Sequence, residues 1–326
     1  MSEQVELPFS INGLPWTAEK IAEAASQIRN GGSIGFAFGI DALEHLPELD
    51  AHVFSARPDL RLSVWVAEGR PYSIDELNTL ASLRNVRTLE ISGVKQKSFM
   101  PLARMTMLQS LEIKAQTPLD VSFLSSLEHL QHLSLSGKFA GLDAMSDCLN
   151  LKSLYVRTTL TSYDPLARIR CLRSLILDSC TAPLDLSPLN RPSLEELYLS
   201  SIPKLDTVDA LAEFSNLQRL KMRSPHMETL PDLSGMHTLH ELELVAMKKW
   251  ENPEVVRTLP NLVSLAIWGI NKKLPAERFA FLASMPSLKR VDFRFIDDGR
   301  RRRDQIEKLF REANRFDVVV QDDVVI

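Results

Sequence analysis

At 326 residues with 44% hydrophobic side chains, the chain is long enough to bury a sizeable core, either as two ordinary domains or as one elongated one. Its 38 lysines and arginines against 42 aspartates and glutamates give a net charge of −4, so no global attraction draws it to nucleic acid or an anionic membrane. Three cysteines, Cys148, Cys171 and Cys180, form no closely spaced pair and point to a reducing compartment rather than a disulfide framework.

The opening stretch MSEQVELPFSINGLPW has neither the basic n-region nor the apolar h-region of a secretion signal, and no apolar run approaches the ~18 residues of a membrane span. A soluble, cytoplasmic protein without membrane contact is the expectation. TAEKIAEAASQIRN, from Thr17 to Asn30, predicts a helix with Thr17 as N-cap and Gly31–Gly32 as its stop. SIGFAFGI (Ser33 to Ile40) and LRLSVWVA (Leu60 to Ala67) read as strands and are taken as two irregular, longer repeats of the sheet that follows. A small separate α/β domain is the alternative reading. The four glycines at 31, 32, 35 and 39 lie between a helix and a strand, the wrong order for a dinucleotide fingerprint, and no Lys follows to make a phosphate loop.

From Val86 onward the frame L-x-x-L-x-L recurs ten times. It starts at Val86, Leu108, Leu130, Leu151, Leu172, Leu194, Leu217, Leu239, Leu262 and Leu288, with successive offsets of 21 to 26 residues. Chance does not produce ten matches at this spacing. The pattern resembles the leucine-rich repeat family, in its short bacterial subclass found in internalins and phosphatase-regulating repeat proteins. The resemblance covers about residues 83–296 and implies an α/β solenoid. Each repeat is then a short parallel strand on a concave face, followed by a turn and a returning extended or 3₁₀ segment.

One such unit cannot bury its leucines alone, but stacked neighbours can. Frame positions 1, 4 and 6 point inward, and 3, 5 and 7 face out on the concave sheet. Position 8 is small in nine of ten repeats, as a sharp turn requires. At position 9 the family usually carries Asn or Cys. Only Cys180 matches, so the asparagine ladder is absent and irregular convex turns are expected. Cys180 is thereby a structural thiol rather than a catalytic one, although Asp178 sits two residues before it.

The expected organisation is an N-terminal cap with irregular repeats over 1–82, ten repeats over 83–296 and a C-terminal cap over 297–326. In the last, Asp304 to Phe316 predicts an amphipathic helix through Ile306, Leu309, Phe310 and Ala313. DVVVQ follows as a last strand, and acidic QDDVVI trails off. The run Arg300 to Arg303 reads as a solvated loop neutralised by Asp297, Asp298, Asp304 and Glu307. The pairs His129/His132 and His237/His240 lie five repeats apart and lack a third ligand, so no metal is expected. No catalytic motif and no cofactor site stand out.

Across the concave positions seven acids balance seven bases, unlike the one-sided groove that nucleic acid needs. Apolar exceptions mark the binding residues. Tyr155, Arg157, Ile176, Asp178 and Tyr198 are the expected anchor for a partner protein, with Lys221, Arg223, Glu243 and Trp268 flanking it. The expected function is non-enzymatic protein binding. The resemblance implies two roles for it, a toxin-immunity-type inhibitor or a regulatory scaffold. The alternative makes the repeats a substrate-recognition arm for an enzyme or nucleotide binder seated in the N-terminal segment.

Overall fold

The computed structural model describes residues 7–182, 185–203, 208–297 and 299–321; Asp298 and the acidic tail 322–326 lie outside them. The chain forms two compact units, one of residues 1–159 and 164–171, the other of 160–163 and 172–326.

In the first unit, seven strands lie in chain order in one parallel sheet: β1 (Ser10–Asn12), β2 (Ser33–Phe38), β3 (Arg61–Val66), β4 (Thr88–Val94), β5 (Ser110–Ala115), β6 (His132–Ser136) and β7 (Ser153–Arg157). The register aligns like with like. Leu62, Leu89, Leu111, Leu133 and Leu154 form one row and Val64, Ile91, Ile113, Leu135 and Val156 a second, all buried. The irregular strand β2 extends both rows through Ile34 and Phe36, so the segments before Val86 share the sheet of the repeats.

The N-terminal helix α1 spans only Ala18–Ala24, shorter than the expected Thr17 to Asn30. Thr17 is the N-cap, its hydroxyl accepting from the Lys20 N–H. Beyond Ala24 the chain bends so that Ile28 can be buried, and the Arg57 guanidinium ties the bend by donating to the carbonyls of Ala25 at 2.8 Å and Ile28 at 3.3 Å. A short α2 (His45–Leu49) leads into a π-turn at Asp50–Phe54. Buried Asp50 there accepts from the backbone N–H groups of Arg84, Asn85 and Val86, clamping the chain where it joins the first regular repeat. Helix α3 (Ile74–Ala81) opens on a capping box between Ser73 and Glu76. Within the core, Phe36, Phe38, Tyr72, Phe99 and Phe123 contact one another edge to face, centroids 5.1 to 6.5 Å apart.

The second unit holds six parallel strands in chain order: β8 (Ser174–Asp178), β9 (Glu196–Ser200), β10 (Arg219–Arg223), β11 (Glu241–Val245), β12 (Ser264–Trp268) and β13 (Arg290–Asp292). Leu175, Leu197, Leu220, Leu242, Leu265 and Val291 share one row in register.

The returning segments are more regular than the missing asparagine ladder suggested. In the first unit they hold short helices at Met100–Arg104, Ser122–Ser126, Leu142–Asp147 and α4 (Asp164–Ala167). In the second they hold Ser187–Leu189, Asp209–Glu213, Pro253–Thr258 and Ala276–Ser284. All but α4 are 3₁₀ turns, and each drives at least one apolar side chain, such as Leu102, Leu124, Leu211 or Leu282, into the core. Two features replace the ladder. At position 9, Val94, Cys180, Ile202, Met247, Ile270 and Ile296 are buried apolar groups that need no hydrogen bond. One residue before four of the frames, a polar side chain bonds to the preceding repeat instead. Asn150 Nδ2 donates to Glu128 O at 2.7 Å, Thr238 Oγ1 to Ser215 O at 2.8 Å, and Asn261 Nδ2 to His237 O at 2.8 Å.

Position 8 is where the chain leaves each strand. Gly93, Gly137, Ser179, Ser201, Ala246 and Gly269 adopt positive φ there. At Gly137 a side chain would also strike Ala115, whose carbonyl oxygen lies 2.4 Å from the Cβ site.

At the C-terminus, α5 spans Arg301–Glu312 and begins three residues earlier than predicted. The basic run therefore lies in its first turn, not in a solvated loop. Arg302 is buried, its guanidinium held by both Asp297 oxygens and by the carbonyls of Asn271 and Leu274 at 2.7 and 2.8 Å. Five N–H donors in a planar fork suit this cage, which explains why one arginine of the run can be buried. The predicted last strand is a 3₁₀ turn, Phe316–Val318, followed by a single bridge from Val319 to Val291.

Candidate functional site

Strand alternation delivers positions 3, 5 and 7 to one polar face in each unit. On the first unit, Glu90 sits between Lys114 Nζ at 2.7 Å and Arg61 Nη1 at 3.4 Å, and Lys114 also reaches Glu112 at 2.9 Å. Burial acts to raise the Glu90 carboxyl, but the Lys114 hydrogen bond and charge outweigh it and hold the group below the usual carboxylate range. Tyr155, half-buried, lies beside Ser134 in register and Arg157 beside Ser136.

The other seven expected binding residues lie on the second unit. Ile176 pairs in register with Tyr198, and Asp178 with Ser200. Tyr198 is followed by Lys221 and then Glu243, and Arg223 by Val245 and then Trp268. Lys221 gathers this set. Its ammonium lies 2.6 Å from Glu243 Oε2, 5.1 Å from the Tyr198 ring centroid and 5.8 Å from that of Trp268. Glu196 bonds Arg219 and accepts from Ser174 Oγ at 3.0 Å. A shallow depression of about 220 Å³ lies over these strands, lined by Ile176, Tyr198, Lys221 and Glu243. Arg223 is exposed and has no side-chain ion pair or hydrogen bond among the described residues.

The four apolar residues singled out in the sequence, Tyr155, Ile176, Tyr198 and Trp268, are half-buried rather than bare. The bare ring is Phe295, 62% exposed, which meets Trp268 edge on with centroids 6.1 Å apart. Beneath this pair, Asp292 is fully buried and accepts from Arg294 Nη2 at 2.9 Å and Nε at 3.1 Å. Burial pushes its carboxyl up, yet the Arg294 hydrogen bonds prevail and keep it below its ordinary range.

Each strand is thus one unit of a frame whose leucines stack on leucines and whose alternate residues make a polar face. The fold is a leucine-rich repeat solenoid. No protein-family model matches the chain, and no curated protein does. Among solved structures, an internalin of Listeria monocytogenes is similar at 16% identity and a TM-score of 0.46, covering 94% of each chain. A second internalin of that species matches at 21% identity and a TM-score of 0.41, over 62% of this chain and 91% of its own. A leucine-rich repeat protein of Leptospira interrogans matches at 14% identity and a TM-score of 0.49, over 90% and 86%.

Within the leucine-rich repeat frame the remaining motifs have packing roles. His129 Nδ1 donates to Thr106 O at 3.0 Å, one more bond of the series that includes Asn150, and His132 stands on the polar face of β6. Gly35 leaves room for the Asn12 side chain and for the Trp65 ring. Cys180 is buried, as is Cys148, whose thiol burial pushes up to about 12. Among the described residues, no three His, Cys, Asp or Glu side chains are grouped to hold a metal ion, and no helix is long and apolar enough to cross a membrane.

Proposed function

We propose that the chain is a non-enzymatic protein-binding module that grips its partner on the polar sheet face of the second unit. The observation that carries this reading is the cluster of Tyr198 on β9, Lys221 on β10, Trp268 on β12 and Phe295 just after β13. Three of these groups are fixed on paired strands and lose little freedom on docking, and the aromatic and cationic composition is that of interface hot spots. Ile176, Asp178, Arg223 and Glu243 surround the cluster. Tyr155 and Arg157 lie on the first unit, outside this cluster. Inhibition of a toxin and scaffolding of an enzyme both begin with this docking step.

The test is affinity capture from lysate of the source cell by the wild type and by a Tyr198→Ala/Trp268→Ala variant, once both are shown to melt at similar temperature. A stoichiometric partner held by the wild type and lost by the variant is the expected result. Equal capture by both removes the second unit's face from the reading. Loss of the partner's own activity on binding identifies an inhibitor, and retention identifies a scaffold.

A further inference from the structure

The sheet face of the second unit matches its charges strand by strand and leaves one over. At position 3, Glu196 has both oxygens engaged, one by Arg219 and the other by Ser174 Oγ at 3.0 Å. At position 5, Lys221 Nζ meets Glu243 at 2.6 Å. Glu241 stands next to Arg219 in register, yet it is exposed and makes no side-chain ion pair or hydrogen bond among the described residues. The next cation along its row, Arg290, is turned to Asp292 at 3.7 Å. The depression of about 220 Å³ over these strands is thus lined by three carboxylates and two cations, with half-buried Ile176 and Tyr198 as its apolar wall. An unmatched carboxylate opposite an apolar wall complements a long side chain that ends in a cation. The methylene stem covers the wall while the head stays on the charge.

We propose that this depression receives a lysine or arginine side chain of the partner protein. The stem packs against Tyr198 and the head meets Glu241, with the Ser264 hydroxyl beside it in register. Tyr198 and Glu241 lie two strands apart, roughly 10 Å between backbones, so a long side chain can touch both and a short one cannot. The assignment rests on the protein-binding reading above and specifies its chemistry. A metal ion is not the occupant, because the three glutamates are not grouped closely enough to hold one. A nucleic-acid strand is disfavoured because its phosphates would face the carboxylate excess. The volume holds a single long side chain, so the partner offers one basic residue here rather than a basic run.

The experiment presents the full chain with a phage-displayed library of random dodecapeptides and, separately, with spermine. The expected peptides share a Lys or Arg beside an apolar residue. Replacing that Lys by norleucine, or that Arg by citrulline, weakens binding at least about fivefold. Glu241→Gln, which changes one exposed side chain and is checked for an unaltered melting temperature, weakens the basic peptide by a similar factor. The same variant binds the uncharged peptide no more weakly than the wild type does, because the pair acts as a unit. Enrichment of acidic or neutral sequences, equal binding of the basic peptides to Glu241→Gln, no enrichment over the blank support, or tighter binding of spermine than of the peptides each overturns the proposal. Neutral sequences lost in Tyr198→Ala/Trp268→Ala remove the basic side chain and leave the face reading standing. Peptides held equally by that variant and by Glu241→Gln remove both.

Discussion

Ser179, Ser201 and Ala246 each hold a backbone conformation that L-residues adopt at a cost, φ near 52°. Repeat geometry demands it at position 8, where glycine supplies it in Gly93, Gly137 and Gly269. Ser201→Gly and Ala246→Gly are therefore expected to stabilise the protein by about 0.5–1 kcal/mol each in urea titrations, while Val at either site destabilises it. Asp59 gives a second test at this scale. The Arg57 hydrogen bonds, then the Gly31 N–H, lower its carboxyl to about 2. Because the folded value lies below the unfolded one near 3.9, this pairing contributes stability above about pH 4 and loses it as pH falls toward 2. Asp59→Asn is expected to flatten the stability profile between pH 4 and 2. The effect is on the order of 1 kcal/mol or less, since solvent screens a carboxylate 41% exposed. Several residues were not legible from their letters alone. Phe295 looked like an irregularity in a column of small residues, and its exposure follows only from where β13 ends. Arg302 stood in a basic run, and such runs are usually solvated. Its burial depends on carbonyls 28 and 31 residues earlier.

Among the elements, the strands were the most legible, because leucines at positions 1, 4 and 6 leave little choice of register. The returning segments were less so. Their 3₁₀ turns come from as little as one apolar residue per repeat, and the polar residues before four of the frames are of mixed type, Asn150, Thr238, Asn261 and His129, so no column of identical letters announces them. Helix α3 could have been read, since Ser73 and Glu76 spell a capping box. The element-scale prediction concerns the pin of α5. Arg302→Ala leaves Asp297 and two carbonyls without their partner and is expected to cost about 3 kcal/mol by urea unfolding. Arg302→Lys is expected to recover less than half of that, because a point ammonium cannot reproduce the fork. Asn261→Ala, losing one exposed bond to the preceding repeat, is expected to cost about 1 kcal/mol or less.

For the whole molecule, the problem of a repeat array is its ends, where the next repeat is absent and apolar surface is left bare. At the start, Trp16 is buried with its indole N–H on Gly35 O at 2.8 Å, and Asp41 accepts from the Trp16 and Ala37 N–H groups. In the second unit α5 covers the last repeat, with Phe310 against Phe293 at 6.0 Å between centroids and Ile306 buried beside it. Truncation after residue 299 is expected to lower the melting temperature by several degrees and to produce oligomers in light scattering, because Phe293 then faces water.

The bonds from Asn150, Thr238, Asn261 and His129 have a direction. Each runs from a repeat back to the one before it, never forward. On a ribosome the acceptor is therefore always made first. Every bond can close as soon as its donor emerges, without waiting for chain not yet translated. A loss at one of these positions acts from that repeat onward, so a truncated nascent chain keeps all the stitches behind it.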